Sequence, residues 1–155
     1  LYIEQDQSIK GAVLKVITNK TEYLLFILIH LAEKKDEGFI SSREIAAEEG
    51  IPVKYIAQLV SLLGKKGWLD SARGVNGGVR LIEEAEEISV WEVTRLADKN
   101  FSFKDCLQGG CVLNKESCAI RPLWSRVQKE IKSILKDKSI ADLIKDRQTD
   151  YNICC

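Results

Sequence analysis

Three thiols crowd one short stretch of this chain. Cys106, Cys111 and Cys118 lie in DCLQGGCVLNKESCAIRPLW, a polar, glycine-containing run that reads as a loop ending where a helix begins at Pro122. Thiolates are ligands for soft metals, above all zinc and iron–sulfur clusters. The spacings of five and seven differ from the tight Cys-x2-Cys pairs of most zinc fingers. Longer arcs suit wrapping around a cluster several ångströms wide. A three-thiol zinc site with a fourth ligand elsewhere, and unligated thiols, are the competing readings. His30 is the one histidine and the best alternative ligand by chemistry, although a lone histidine on an apolar helix is more often packed and hydrogen-bonded. Glu22 is an acid at a helix N-terminus, where the ordinary role is a favourable interaction with the helix dipole. These two lie eight residues apart, about 12 Å along a helix at 1.5 Å per residue, and are not expected to ligate one metal ion together. The adjacent pair Cys154-Cys155 ends the tail and reads as incidental or redox-reactive.

Bulk properties narrow the setting. A chain of 155 residues with 45% hydrophobic content has enough apolar material for one domain with a real core. The longest apolar run, Tyr23 to Leu31, is too short for a bilayer, which needs about 20 apolar residues. No secretory pattern is visible, so the expected location is cytoplasmic, with no membrane partner. Five cysteines in that setting point to metal or redox chemistry rather than to a disulfide framework. The 23 basic and 23 acidic residues cancel, which argues against non-specific coating of nucleic acid. Sequence-specific binding through a locally basic face stays open.

The elements that must position the cysteines read as follows. Thr18 or Asn19 caps a first helix with Glu22 in its first turn. EYLLFILIHLAEKK is apolar nearly all round, so burial on most sides is expected, part of it beneath a second subunit. Ser41 and Ser42 cap a short second helix ended by Gly50. A third helix starts at or near Pro52, with Ile56, Leu59, Val60 and Leu63 as an inward stripe. Gly67 ends it. Two helices joined by a short glycine-containing turn are what a helix-turn-helix requires.

WLDSARGVNGGVRLI then reads as a hairpin turning at Asn76-Gly77, with Arg73 and Arg80 on its arms: a wing. Ser89 caps SVWEVTRLAD, and the cysteine loop follows. From Pro122 a long helix carries Leu123, Val127, Ile131, Ile134 and Leu135 along one face, with Trp124 alongside; dimerisation is the natural partner for such a stripe. Ser139 caps a last turn, SIADLI. The fold class is mainly α with a small β-wing, a winged helix-turn-helix plus a long C-terminal dimerisation helix. Its segments are an N-terminal extension (1–14), the winged helix-turn-helix (15–100), the cysteine loop (101–121), the dimerisation helix with a short terminal helix (122–146) and a tail (147–155).

A reading surface can be assigned residue by residue. Ser41 and Ser42 present a helix N-terminus to a phosphate. Lys54, Tyr55, Gln58 and Ser61 lie on the polar face of the third helix, where a glutamine can pair bidentately with adenine in the major groove. Arg73, with Asn76 at the tip, could enter a narrow minor groove, which concentrates negative potential. The competing reading is a winged helix used only for protein contacts. No constellation of acid, base and nucleophile is evident, so an enzyme is not expected.

SSREIAAEEGIPVKYIAQLVSLLGKKGWLDSARGVNGGVRL, ISVWEVTRLAD, the three-cysteine loop, RPLW and SIADLI together resemble the IscR/NsrR-type winged-helix regulators of bacteria, over about residues 15–144. The resemblance implies a homodimer on a palindromic double-stranded DNA operator, with affinity set by an iron–sulfur cluster, [2Fe-2S] or [4Fe-4S]. Cys106, Cys111 and Cys118 match the cluster cysteines, Tyr55 and Gln58 match base-contacting positions, and Arg73 matches a wing arginine. Glu22 falls where some members supply a carboxylate from the partner subunit, making it the preferred fourth ligand over His30. The chain departs from the family in its cysteine spacing, in Arg121 where a ligand histidine stands in IscR-like members, and in Ala57 where a glutamate filters DNA sites. The expected function is a repressor sensing redox, iron–sulfur status or nitric oxide. The alternatives are a cluster-free or zinc-containing regulator answering a protein partner or small ligand, and, behind it, an iron–sulfur redox protein.

Overall fold

The computed structural model describes residues 17–109 and 118–149. Helix α1 (Asn19–Glu33) runs through the centre. Thr18 caps it, its hydroxyl accepting from the Thr21 N–H. Leu24, Ile27, Leu28, Ile29 and Leu31 are buried, and the helices over Val53–Lys66, Val90–Ala97 and Ile140–Gln148 and the strand over Gly78–Leu81 all pack on α1. The helix is buried on most sides, as its apolar surface predicts, and Phe26 remains 43% exposed.

Helix α2 (Ser42–Glu48) is capped by Ser41 alone; Ser42 is its first helical residue. Glu49 closes it, and Gly50 takes φ +65°, the left-handed conformation that turns the chain toward α3. Helix α3 (Val53–Lys66) buries Ile56, Leu59 and Leu63; Val60 is only half-buried. Gly67 stops it at φ +88°.

Strands β1 (Leu69–Ala72) and β2 (Gly78–Leu81) pair antiparallel, Leu69 opposite Leu81 and Ala72 opposite Gly78. The hairpin is where the sequence puts it, and its left-handed glycine is Gly74, at φ +111°, rather than Gly77. A bridge from Ile40 to Val79 adds a third, one-residue strand, with Ile40 N–H to Val79 O and Val79 N–H to Ile40 O both at 2.9 Å. The wing is thereby fixed to the residue just ahead of the Ser41 cap.

Helix α4 (Val90–Ala97) and helix α6 (Ile140–Gln148) each open with a capping box, Ser89 with Glu92 and Ser139 with Asp142. Their starts are joined by Val90 N–H to Lys138 O at 2.8 Å and Ile140 N–H to Ile88 O at 2.9 Å. Ile140 and Ala141 are buried. The C-terminal segment is therefore more than a last turn, because this backbone link returns it to the core. Between α4 and α6 lies α5 (Arg121–Lys136), none of whose residues is buried. Among the described residues no helix is long and apolar enough to cross a membrane.

Candidate nucleic-acid interface and thiolate segment

Burying Ile56, Leu59 and Leu63 turns the opposite face of α3 outward. Lys54, Tyr55, Gln58 and Ser61 are all exposed there. Tyr55 is braced on two sides, with the Lys54 ammonium 5.0 Å from its ring centroid and the Tyr23 ring 6.5 Å away. Tyr23 belongs to α1. A cavity of about 340 Å³ opens here, bounded by Thr18, Asn19, Lys20 and Tyr23 on one side and Tyr55 and Gln58 on the other. Sequence reasoning missed this neighbourhood, because nothing local links residue 23 to residue 55. The α1 cap at Thr18 was its visible trace.

Ser41 is exposed and its hydroxyl accepts from the Glu44 N–H at 3.2 Å, so that oxygen is engaged in capping. Ser42 is half-buried. Behind them Lys34 on α1 reaches Glu44 and Glu48 at 3.0 and 3.1 Å, and the bonds to Glu44 and then Glu48 hold its ammonium above the ordinary lysine value. Arg73 and Asn76 are exposed at the wing tip. Arg80 is different: Asp70 accepts from its Nε and Nη2 at 3.2 and 2.9 Å, and its guanidinium lies 4.7 Å from the Phe39 ring centroid. It stiffens the wing root, leaving Arg73 as the arginine at the tip.

Cys106 lies in a short 3₁₀ turn, Asp105–Gln108, and Cys118 stands three residues ahead of α5; both are half-buried free thiols. The Cys118 carbonyl accepts from the Arg121 N–H at 3.4 Å. Aromatic packing holds the approach to Cys106. Phe101 meets Trp91 edge-on at 5.7 Å, Phe103 meets Trp124 at 5.6 Å, and the Phe103 N–H donates to the Gln128 side chain. Cys111, Cys154 and Cys155 lie outside the described residues. Among those described, no three His, Cys, Asp or Glu side chains converge on one point. The soft donors Cys106 and Cys118 fit a thiophilic metal group.

Glu22 is exposed in the first turn of α1, on the edge of an apolar groove of about 350 Å³ between α1 and α6 that includes Leu25, Phe26, Ile29 and Leu143. His30 is only 3% exposed and its Nδ1 is 2.9 Å from Glu49. It is the packed, hydrogen-bonded histidine of the plainer reading.

A helix-turn-helix with an exposed polar third helix, locked to a two-stranded wing, defines a winged-helix DNA-binding protein. The Rrf2 model, described as an iron-dependent transcriptional regulator, matches residues 17–146. The chain belongs to this family of transcriptional regulators. It is 32% identical over 134 residues to the HTH-type transcriptional regulator NsrR of Geobacillus kaustophilus, covering 84% of this chain and 90% of that protein. It is 29% identical to IscR of Vibrio atlanticus, covering 85% and 76%. Its fold matches CymR (YrzC), the global cysteine regulator of B. subtilis, at 34% identity and a TM-score of 0.72, covering 86% of this chain and 98% of that one.

Proposed function

We propose that the chain acts as a homodimeric repressor whose affinity for a palindromic operator is set by an iron–sulfur cluster, [2Fe-2S] or [4Fe-4S], held by Cys106, Cys111 and Cys118. The observation that carries this reading is α5. It begins three residues after the downstream cysteine, is amphipathic, and buries no residue, with Leu123 54% and Ile134 63% exposed. One helix thus adjoins the thiolate segment and carries the apolar face that a second subunit would cover.

Charge supports the pairing. On α5, Arg121, Arg126, Lys129, Lys132 and Lys136 outnumber Glu130. The α1–α6 groove carries Glu22 and Asp146 against Arg147. A second copy's α5 in that groove would cover Phe26 and offer Glu22 as a fourth ligand across the dimer. When bound, the cluster supplies iron that can be oxidised, lost or nitrosylated. Cys106 and Cys118 would hold the segment between α4 and α5 in one arrangement, and release of those thiols would loosen it. The two recognition helices must match a fixed half-site spacing, so a small shift of α5 is sufficient to weaken binding. Ser41, Ser42, Lys54, Tyr55, Gln58, Ser61, Arg73 and Asn76 form the DNA-reading set.

The likeness to a global cysteine regulator favours a second reading, in which the thiols respond to thiol chemistry or a small ligand without a cluster. Protein purified without oxygen separates the two. Visible absorption with matching iron and acid-labile sulfide, lost in Cys111→Ala together with metal-dependent DNA affinity, is expected from the cluster reading. A colourless sample carrying zinc or no metal, with unchanged DNA affinity in Cys111→Ala, overturns it.

A further inference from the structure

The single histidine sits where a histidine is a poor choice for stability. His30 is buried on α1, and its Nε2 has no hydrogen-bond partner among the described residues. Its Nδ1 lies 2.9 Å from Oε1 of Glu49. A carboxylate accepts only, so Nδ1 carries the hydrogen that it donates to Glu49. An apolar side chain would suit the surroundings of Nε2 better. What the histidine supplies is one donor aimed at Glu49.

Glu49 occupies a special place. It caps the C-terminus of α2, precedes Gly50 at φ +65°, and stands at the turn that launches the recognition helix. The Ile51 N–H reaches back to Ala46 O at 3.0 Å, so this turn is tightly wound. The Glu49 side chain is 9% exposed, and Arg147 of α6 lies 3.7 Å from the same carboxylate oxygen; the same guanidinium is 3.2 Å from Glu33 of α1. Lys34, the residue that closes α1, adds a half-buried link to Glu44 and Glu48 on α2. Glu49 is thus contacted from both α1 and α6, through His30 and Arg147.

We infer that His30 and Arg147 are positioning residues for DNA recognition, holding the helix-turn-helix turn at Glu49 in register with α6 and so with the C-terminal half of the chain. Neither touches DNA. Helix α6 follows α5 after three residues, so a displacement of α5 pulls on Arg147, and through Glu49 on the start of α3. The inference rests on α3 being the DNA-reading helix.

The test compares three single variants of the full chain. His30→Leu keeps an apolar side chain and removes the donor; His30→Asn keeps a donor near the Nδ1 position; Arg147→Gln changes an exposed end of the grip. Each is measured on a duplex selected from a randomised library by the wild-type protein, on an unrelated duplex, and by hydrogen exchange at residues 49–51 without DNA. His30→Leu is expected to bind the selected duplex about tenfold more weakly, as loss of a hydrogen bond to a charged group implies. Its affinity for the unrelated duplex should be unchanged and its turn should exchange faster. His30→Asn should restore both properties, and Arg147→Gln should shift them in the same direction by less. Wild-type specificity and turn protection in His30→Leu, or His30→Asn failing as His30→Leu does, overturns the inference. If His30→Leu does not fold, unchanged binding and exchange in Arg147→Gln overturns it. A wild-type chain that selects no duplex would refute the DNA-reading role instead, and the exchange data would still decide the grip.

Discussion

Replacing Gly78 with alanine tests whether the wing and the helix-turn-helix form one rigid reading head. An added Cβ at Gly78 would run into the carbonyl of Ile40, a backbone atom that cannot swing aside as a side chain would. The wing must therefore part from Ile40, and the two 2.9 Å bonds between Ile40 and Val79 go with it. At about 1 kcal/mol net each, the loss is about 2 kcal/mol. For a domain of this size that lowers the melting temperature by roughly 4–8 °C. Gly74 is the internal control. It sits at φ +111° with nothing within 4 Å of an added Cβ, so Gly74→Ala costs only local strain, about 1 kcal/mol. Equilibrium unfolding gives the energies, and hydrogen exchange at the Ile40 and Val79 amides gives the location. Gly78→Ala should lose protection at both amides and weaken specific DNA binding; Gly74→Ala should keep the protection. A Gly78→Ala protein with wild-type stability and full protection at Val79 would refute the argument.

Gln58→Ala should weaken binding to a selected duplex by about 1–3 kcal/mol while leaving non-specific binding nearly unchanged; titration of both duplexes at one salt concentration reads the difference. Ile134→Glu places a charge on the exposed apolar stripe of α5; if α5 forms the proposed dimer contact, light scattering should show a dimer for wild type and a monomer for the variant, with the helical circular dichroism retained. The backbone N–H and hydroxyl of Ser139 hydrogen-bond to Asp142 and hold its carboxyl below the ordinary value of 3.8. The folded value being depressed, that stabilisation is present above pH 3.8 and is lost as the pH falls through the lower folded value. In Ser139→Ala the Asp142 carboxyl should titrate at higher pH by NMR. The stability gap between Ser139→Ala and wild type should also narrow on acidification below that range.

Much of the fold is legible in the chain because its rules are local. Ser89 with Glu92, Thr18 ahead of α1, Ser139 ahead of α6 and Gly67 after α3 each act within a turn of helix, so each could be read off directly. The i, i+3, i+4, i+7 spacing of α3 likewise determines which side faces inward, and with it the exposure of Lys54, Tyr55, Gln58 and Ser61. The three cysteines raise the expectation of soft-metal or redox chemistry by type alone.

Contacts between residues far apart in sequence follow no such rule. Ile40 with Val79, Tyr23 beside Tyr55, and α6 stitched to α4 through Lys138 and Ile88 are decided only when the whole core is packed. Tertiary structure also decided the surroundings of His30: the sequence offered a ligand or a packed ring, and the fold buries the ring, with Nδ1 2.9 Å from Glu49 and Nε2 closed off from solvent.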